Sequence, residues 1–184
     1  LTRRRLGGAA LLLAGIAVAV VVLLPALRGD DSGARTLPVR VVSVPELGFA
    51  FTHPRSWKHS VSGRVVRVWS KDGTAIMTFA SPVAGRESRR VKDALRRGLG
   101  ARLKGETVVR DGRGRLAGRS VDTLEVVGVG RKRRIRALAI VATSKWRTYA
   151  ITLLTPARPS RKRLAEVSRI LATVRFAKPV RPKR

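Results

Sequence analysis

The longest apolar stretch in the chain is its first. Leu6 to Leu27 runs without a charged residue and is mostly Leu, Ala, Val and Ile. As a helix it is about 33 Å long at ~1.5 Å per residue, enough to cross a hydrocarbon core of roughly 30 Å. Alternation takes over further on. Residues 39–44 are rich in β-branched Val, and Phe49 and Phe51 place two aromatics on one face of a short strand. Residues 64–70 and 74–80 are alternating runs joined by Lys71-Asp72-Gly73, a hairpin signal because Asp-Gly accepts positive φ at little cost. Odd positions Val65, Trp69, Ala75, Met77 and Phe79 compete with Val66, Val68 and Ile76 for burial, as in a sheet covered on both faces.

The period then changes. Val91, Leu95, Leu99 and Leu103 recur every fourth residue, with Ala94 and Ala101 beside them and Ser88 placed to cap. Arg89, Arg90, Lys92, Arg96, Arg97 and Arg102 fill the remaining face, so this helix is cationic outside. Strands are expected at 106–110, 119–127, 133–143 and 147–154, with turns at 111–114, 128–132 and 144–146. A second helix over 160–172 is capped by Ser160 and turns Leu164, Val167, Ile170 and Leu171 inward. Val174-Arg175-Phe176 reads as a closing strand. Strands, helix, strand meander, helix and final strand make an α+β protein: an antiparallel β-sheet flanked by helices.

Arg3, Arg4 and Arg5 precede the apolar run, while Arg28, Asp30, Asp31 and Arg35 follow it with nearly balanced charge. The positive-inside bias then puts residues 1–5 in the cytoplasm, a transmembrane anchor at 6–27, a linker at 28–38 and the domain at 39–176 outside. The tail, 177–184, alternates prolines with basic residues and is expected to be disordered. The alternative is a cleaved secretory signal, with Ser32-Gly33-Ala34 as a distant cleavage site; the apolar run is longer than the roughly 7–15 residues usual there. Either reading exports the domain. The arginine-rich composition suggests a bacterial cell membrane, with the domain outside or secreted after cleavage.

Among 184 residues, 40 are Lys or Arg and 11 are Asp or Glu, a formal net charge of +29. Hydrophobic residues at 44% argue against a disordered basic tail and for a real core. Cysteine is absent, which removes disulfides, thiolate metal sites, cysteine nucleophiles and a lipid-bearing cysteine.

Few chemical constellations survive. His53 and His59 are six apart, with Glu46 the only nearby acid and no third ligand. A serine nucleophile among Ser56, Ser60 and Ser62 lacks a Gly-x-Ser-x-Gly elbow and would need Asp72 from a turn. Asp122 and Glu125, three apart on a strand, point to opposite faces and cannot flank one bond; Glu125 reads as an arginine partner. Gly112-x-Gly114 and Gly128-x-Gly130 read as turns rather than phosphate loops. No catalytic residue, metal ligand or cofactor site is expected.

Positive charge is the strongest unusual signal. Arg131, Lys132, Arg133, Arg134 and Arg136 gather at an expected hairpin tip and are the polyanion-binding candidates; Arg158, Arg161, Lys162 and Arg163 form a second cluster. Trp57, Trp69, Trp146 and Tyr149 fall in strand contexts rather than interleaving with surface cations, so nucleic acid is not the expected partner. The expected partners are the membrane itself and an anionic envelope polymer or a protein. The expected function is a non-catalytic binding or accessory protein of the cell envelope. A polyanion-binding module and an envelope hydrolase using His53 or His59 are the alternatives.

Gly48-Phe49-Ala50-Phe51-Thr52-His53-Pro54-Arg55-Ser56-Trp57 resembles the opening signature of the PsbP-like (Mog1/PsbP/LpqN-type) α/β/α sandwich proteins, Gly-Phe-x-Phe followed by Pro and Trp. The strand ending Phe79-Ala80-Ser81-Pro82, the helix at 91–103, the hairpin through 136–154 and the closing 170–176 fall in the family's order. The resemblance spans about residues 39–176. It departs in having His53 where an aromatic is common, and in an apolar anchor where lipoprotein members carry a cysteine. It implies a small accessory scaffold without shared catalytic residues, with Phe49, Phe51, Pro54 and Trp57 in the core.

Overall fold

A computed structural model describes residues 38–130 and 132–180, apart from the side chains of residues 83 and 84. The expected anchor at 6–27, nearly all of the linker, residues 181–184 and Arg131 lie outside the described residues. In chain order the elements are β1 (Val39–Val44), β2 (Phe49–Pro54), β3 (Lys58–Ser62), β4 (Val65–Trp69), β5 (Ile76–Ala84), α1 (Ser88–Gly100), β6 (Lys104–Leu116), β7 (Arg119–Gly130), β8 (Arg133–Thr143), β9 (Arg147–Pro156), α2 (Arg161–Ala172) and β10 (Arg175–Phe176). They build a seven-stranded sheet in the order β3-β4-β5-β9-β8-β7-β6 and a three-stranded sheet in the order β1-β2-β10. Every pairing is antiparallel.

Register assigns each row of side chains to a face. Asp111, Leu124, Ala139, Thr152 and Thr78 are successive cross-strand partners and share one face of the large sheet. Lys92 and Arg96 of α1 both reach Asp111, so α1 covers that face. The adjacent row, Glu125, Leu138, Leu153, Met77 and Val68, points the other way. On that second face the Phe79 ring stacks on Phe51 at 4.2 Å and on Phe49 at 5.7 Å, which seats the small sheet there. The Thr173 hydroxyl, at the end of α2, accepts the Thr52 N–H of β2 at 2.9 Å, so α2 lies alongside the small sheet. The result is an α+β sandwich with antiparallel sheets.

Burial on both faces explains the competing parities along β4 and β5. Because Val66 pairs with Phe79 and Val68 with Met77, the even residues of β4 share a face with the odd residues of β5. Those four are fully buried, while Val65, Trp69 and Ile76 point to the α1 side and are half-buried. Parity therefore does not carry across a turn, and grouping Val65 and Trp69 with Met77 and Phe79 was incorrect.

Other expectations change as well. Lys58–Ser62 forms an edge strand that alternation did not signal, because every residue in it is exposed. Ser88 opens α1 rather than capping it; Glu87 holds the cap position without a side-chain hydrogen bond. The expected turn at 111–114 lies inside β6, and the chain reverses at Ala117-Gly118, both at positive φ. Gly128 and Gly130 belong to β7: a Cβ on Gly128 would meet that of Leu103 at 2.8 Å. Residues 177–180, placed in a disordered tail by sequence, run along the β1–β2 turn through Ala177 N–H to Gly48 O and Val180 N–H to Pro45 O. Ser160 caps α2 as expected, its side chain accepting the Arg163 N–H.

The two-sheet stack makes a direct prediction for stability. Phe51→Ala should cost about 3–5 kcal/mol, the range for large core truncations. Val61→Ala on exposed β3 should change stability by less than about 0.5 kcal/mol. Chemical denaturation of the two variants checks the contrast; a comparable loss from both would show that β3 is not the free edge.

Candidate functional site

The signature block is built into the core. Gly48 sits at φ +69°, and a Cβ there would come within 2.5 Å of the Ala177 carbonyl oxygen, so only glycine lets the returning chain pass this closely. Phe49, Phe51, Pro54 and Trp57 are buried. Buried Tyr149 meets Phe49 edge-to-face and stacks on Phe176, and its hydroxyl donates to Leu47 O at 2.9 Å; burial pushes its ionisation upward.

Trp57 leads into a polar cluster at the start of α2. Its Nε1–H donates to Glu166 Oε2 at 3.3 Å, and the Arg163 guanidinium binds the same carboxylate. Arg163 also reaches Asp72 at 2.7 Å, with its guanidinium carbon 5.4 Å from the centre of the Trp57 ring. Asp72 further accepts from the Ser70 hydroxyl and from the Thr74 N–H and hydroxyl, which hold its carboxyl well below the usual range. An open cleft of about 600 Å³ lies here, lined by Ser56, Trp57, Lys71, Asp72, Lys162 and Arg163 among others. Both carboxylates lining it are engaged by Arg163, so neither is placed to act as a base. This cluster was missed by sequence reading, since Trp57 and Asp72 reach the Arg163–Glu166 pair of α2 only through the fold.

His53 and His59 do meet. Nδ1 of buried His53 lies 2.8 Å from Pro54 O, so it carries the proton and donates. Nε2 is then an acceptor for the Nδ1–H of exposed His59 at 2.9 Å. Burial lowers the pKa of His53; the Pro54 carbonyl opposes this, and His59 and Arg40, its cross-strand partner, add to it. Glu46 is not brought near: it lies in the turn before Phe49, while His53 is near the far end of the same strand. Among the described residues no group of three His, Asp or Glu is arranged to hold a metal ion. Ser60 and Ser62 alternate with His59 along β3 and face the other way. Asp72 turns to Ser70, Thr74 and Arg163 rather than to a histidine.

Glu125 is an ion-pair partner, buried on β7 and bound by Arg136. Arg136 is thereby drawn out of the expected polyanion-binding set, with a side chain 29% exposed. Lys132, Arg133 and Arg134 of that set are exposed, and Arg131 is not among the described residues. Arg158, Arg161 and Lys162 are exposed too, and Arg163 turns inward to its carboxylates. On α1, Arg90 pairs with Glu87 at 3.0 Å, and Lys92 and Arg96 pair with Asp111.

No protein-family model matches the chain, and no curated protein matches it in sequence. Solved structures do. The PsbP of the cyanobacterium Synechocystis superposes with a TM-score of 0.56 at 14% identity, covering 81% of this chain and 98% of that one. A Bacteroides thetaiotaomicron protein superposes at 0.54 and 14% identity, covering 75% of this chain and 48% of the other, so this chain spans about half its length. LpqN of Mycobacterium tuberculosis, described as involved in cell envelope biogenesis, is looser, with a TM-score of 0.48, 12% identity, and 78% and 88% covered. The chain has a PsbP-like fold, as its opening signature implied.

The histidine pair gives a pH prediction. With its folded pKa depressed below 6.5, His53 contributes stability that is present above about pH 6.5 and lost as pH falls toward the folded value. Unfolding free energy should therefore drop between about pH 7.5 and 5.5, by at most ~1.4 kcal/mol per unit from this group. His53→Gln should flatten the profile, as read by denaturant titration at each pH. A wild-type profile already flat there removes the argument.

Proposed function

We propose that this chain is a membrane-tethered, extracytoplasmic binding or accessory protein of the bacterial envelope that performs no catalysis. One observation carries the reading: the ionisable side chains with chemical potential are engaged in holding the fold together. Glu125, Glu166, Asp111 and Asp72 are each paired with Arg or Lys, and His53 is closed between Pro54 and His59. Among the described residues, what faces solvent is dominated by positive charge, suited to recognition rather than turnover. The apolar run at 6–27 supports the tether, and the charge bias around it supports export.

Fractionation of cells expressing the full chain tests the tether. The protein should stay in the membrane fraction through high salt and alkaline washing, and should leave it on adding detergent. Release by salt alone would mean that surface charge holds it there. Recovery from the culture medium would mean that the apolar run is a cleaved signal.

A further inference from the structure

The strand registers place the chain's entry point at one particular end of the domain. Pro38 O accepts the Arg55 N–H, and Val39 pairs with Pro54, so the first described residues lie where β2 ends and β3 begins. From there the pairings Lys58–Trp69, Trp69–Ile76, Ile76–Leu154, Pro156–Ile135 and Arg133–Gly130 run across the same end of the large sheet. That end presents Lys58, Lys71, Lys132, Arg134, Arg158 and Lys162, all exposed. Asp72 and Glu106 share it, and Asp72 is bound by Arg163. The two cationic clusters, remote in sequence, thus form one surface around the point where the tether joins.

Charge alone does not choose this end, because Arg86, Arg89, Arg90 and Lys145 sit at the other. The tether does. Residues 28–37 separate Leu27 from Pro38, a segment that reaches at most about 36 Å when fully extended. Ten residues of random coil in general span about 18 Å. The ten residues of β9 carry the opposite end roughly 33 Å farther away. Screening leaves only charges within about 10 Å of a headgroup plane strongly attracted to it. We infer that the entry end, with Lys58, Lys71, Lys132, Arg134, Arg158 and Lys162, docks onto the anionic phospholipid headgroups of the bilayer that holds the chain. The inference rests on the tethered reading.

The test uses the full chain, which has no native cysteine, reconstituted into vesicles. Single labels at Ser56→Cys, on the entry end, and at Glu46→Cys, on the opposite end, carry a fluorophore quenched by headgroup-nitroxide lipid. In vesicles containing phosphatidylglycerol, quenching at position 56 should rise several-fold over pure phosphatidylcholine and fall back in high salt. Quenching at position 46 should stay low in both. Reversing Lys132, Arg133 and Arg134 to Glu should return position 56 to its phosphatidylcholine level. Equal quenching at the two positions, or indifference to lipid charge, overturns the docking. Preferential capture of soluble polyglycerol phosphate without a lipid response assigns the surface to a polymer and overturns it too. Flotation with phosphatidylcholine vesicles in high salt separates the two readings. A chain that floats without lipid-charge-dependent quenching keeps its tether and lacks the docking; one that does not float lacks the tether itself.

Discussion

The stack of Phe51 on Phe79 joins two sheets that share no backbone hydrogen bonds. The seat of the small sheet on the second face of the large one depends on it. Phe49 and Phe51 project from β2 toward Phe79, and Val42 and Val44 come with them because they pair with those phenylalanines. The opposite side of the small sheet stays open, with Val41 70% exposed. Burial on one face only is what an antiparallel sheet tolerates, whereas the large sheet between this layer and α1 must be apolar on both. The Gly-Phe-x-Phe block is thus an interlayer device: glycine lets the chain pass close to residues 177–179, and the two rings hold the layers together.

Legibility in the sequence followed from how much each residue buries. β8, β9 and α2 stood out because their apolar residues are the core itself. β3 did not, since an edge strand whose residues are all exposed carries no alternation to read. The β6–β7 reversal was hidden for a different reason. Gly112 and Gly114 imitate a turn inside a strand, while the true turn has Ala117 at positive φ, a conformation alanine rarely adopts. The polyanion-binding run was legible in composition and not in register. Arg134 and Arg136 project from the same face of β8, and only Arg136 comes within reach of Glu125. The cleft joining Trp57 and Asp72 to Arg163 and Glu166 was not legible, because only the last two share an element and the first two arrive from separate turns.

Scarcity of acid shapes the molecule as much as abundance of base. With 11 carboxylates against 40 Lys and Arg, a carboxylate is valuable where a cation must be desolvated or a helix held. Asp111 holds α1 to β6, Glu166 and Asp72 hold α2 to Trp57 and to the β4–β5 turn, and Glu125 neutralises Arg136 above the sheet. Using acids this way leaves few to balance the surface. The positive field is set by composition, and is also a property that a partner can use.

Placing that field beside the chain's entry changes its effect. A cationic surface free in solution meets anionic headgroups at their bulk concentration and is weakened by salt. On the tether proposed above, the same surface would meet them intramolecularly, at an effective concentration that ten intervening residues would keep in the millimolar range or above. Individually weak contacts then suffice to orient the domain. The proposed docking would leave the far end, with the β1–β2 turn, the α1 start and Arg86, Arg89 and Arg90, facing away from the bilayer. On the proposed reading, a tether and a charged base together would do what neither does alone: hold the domain upright and direct its other end toward whatever lies beyond the membrane.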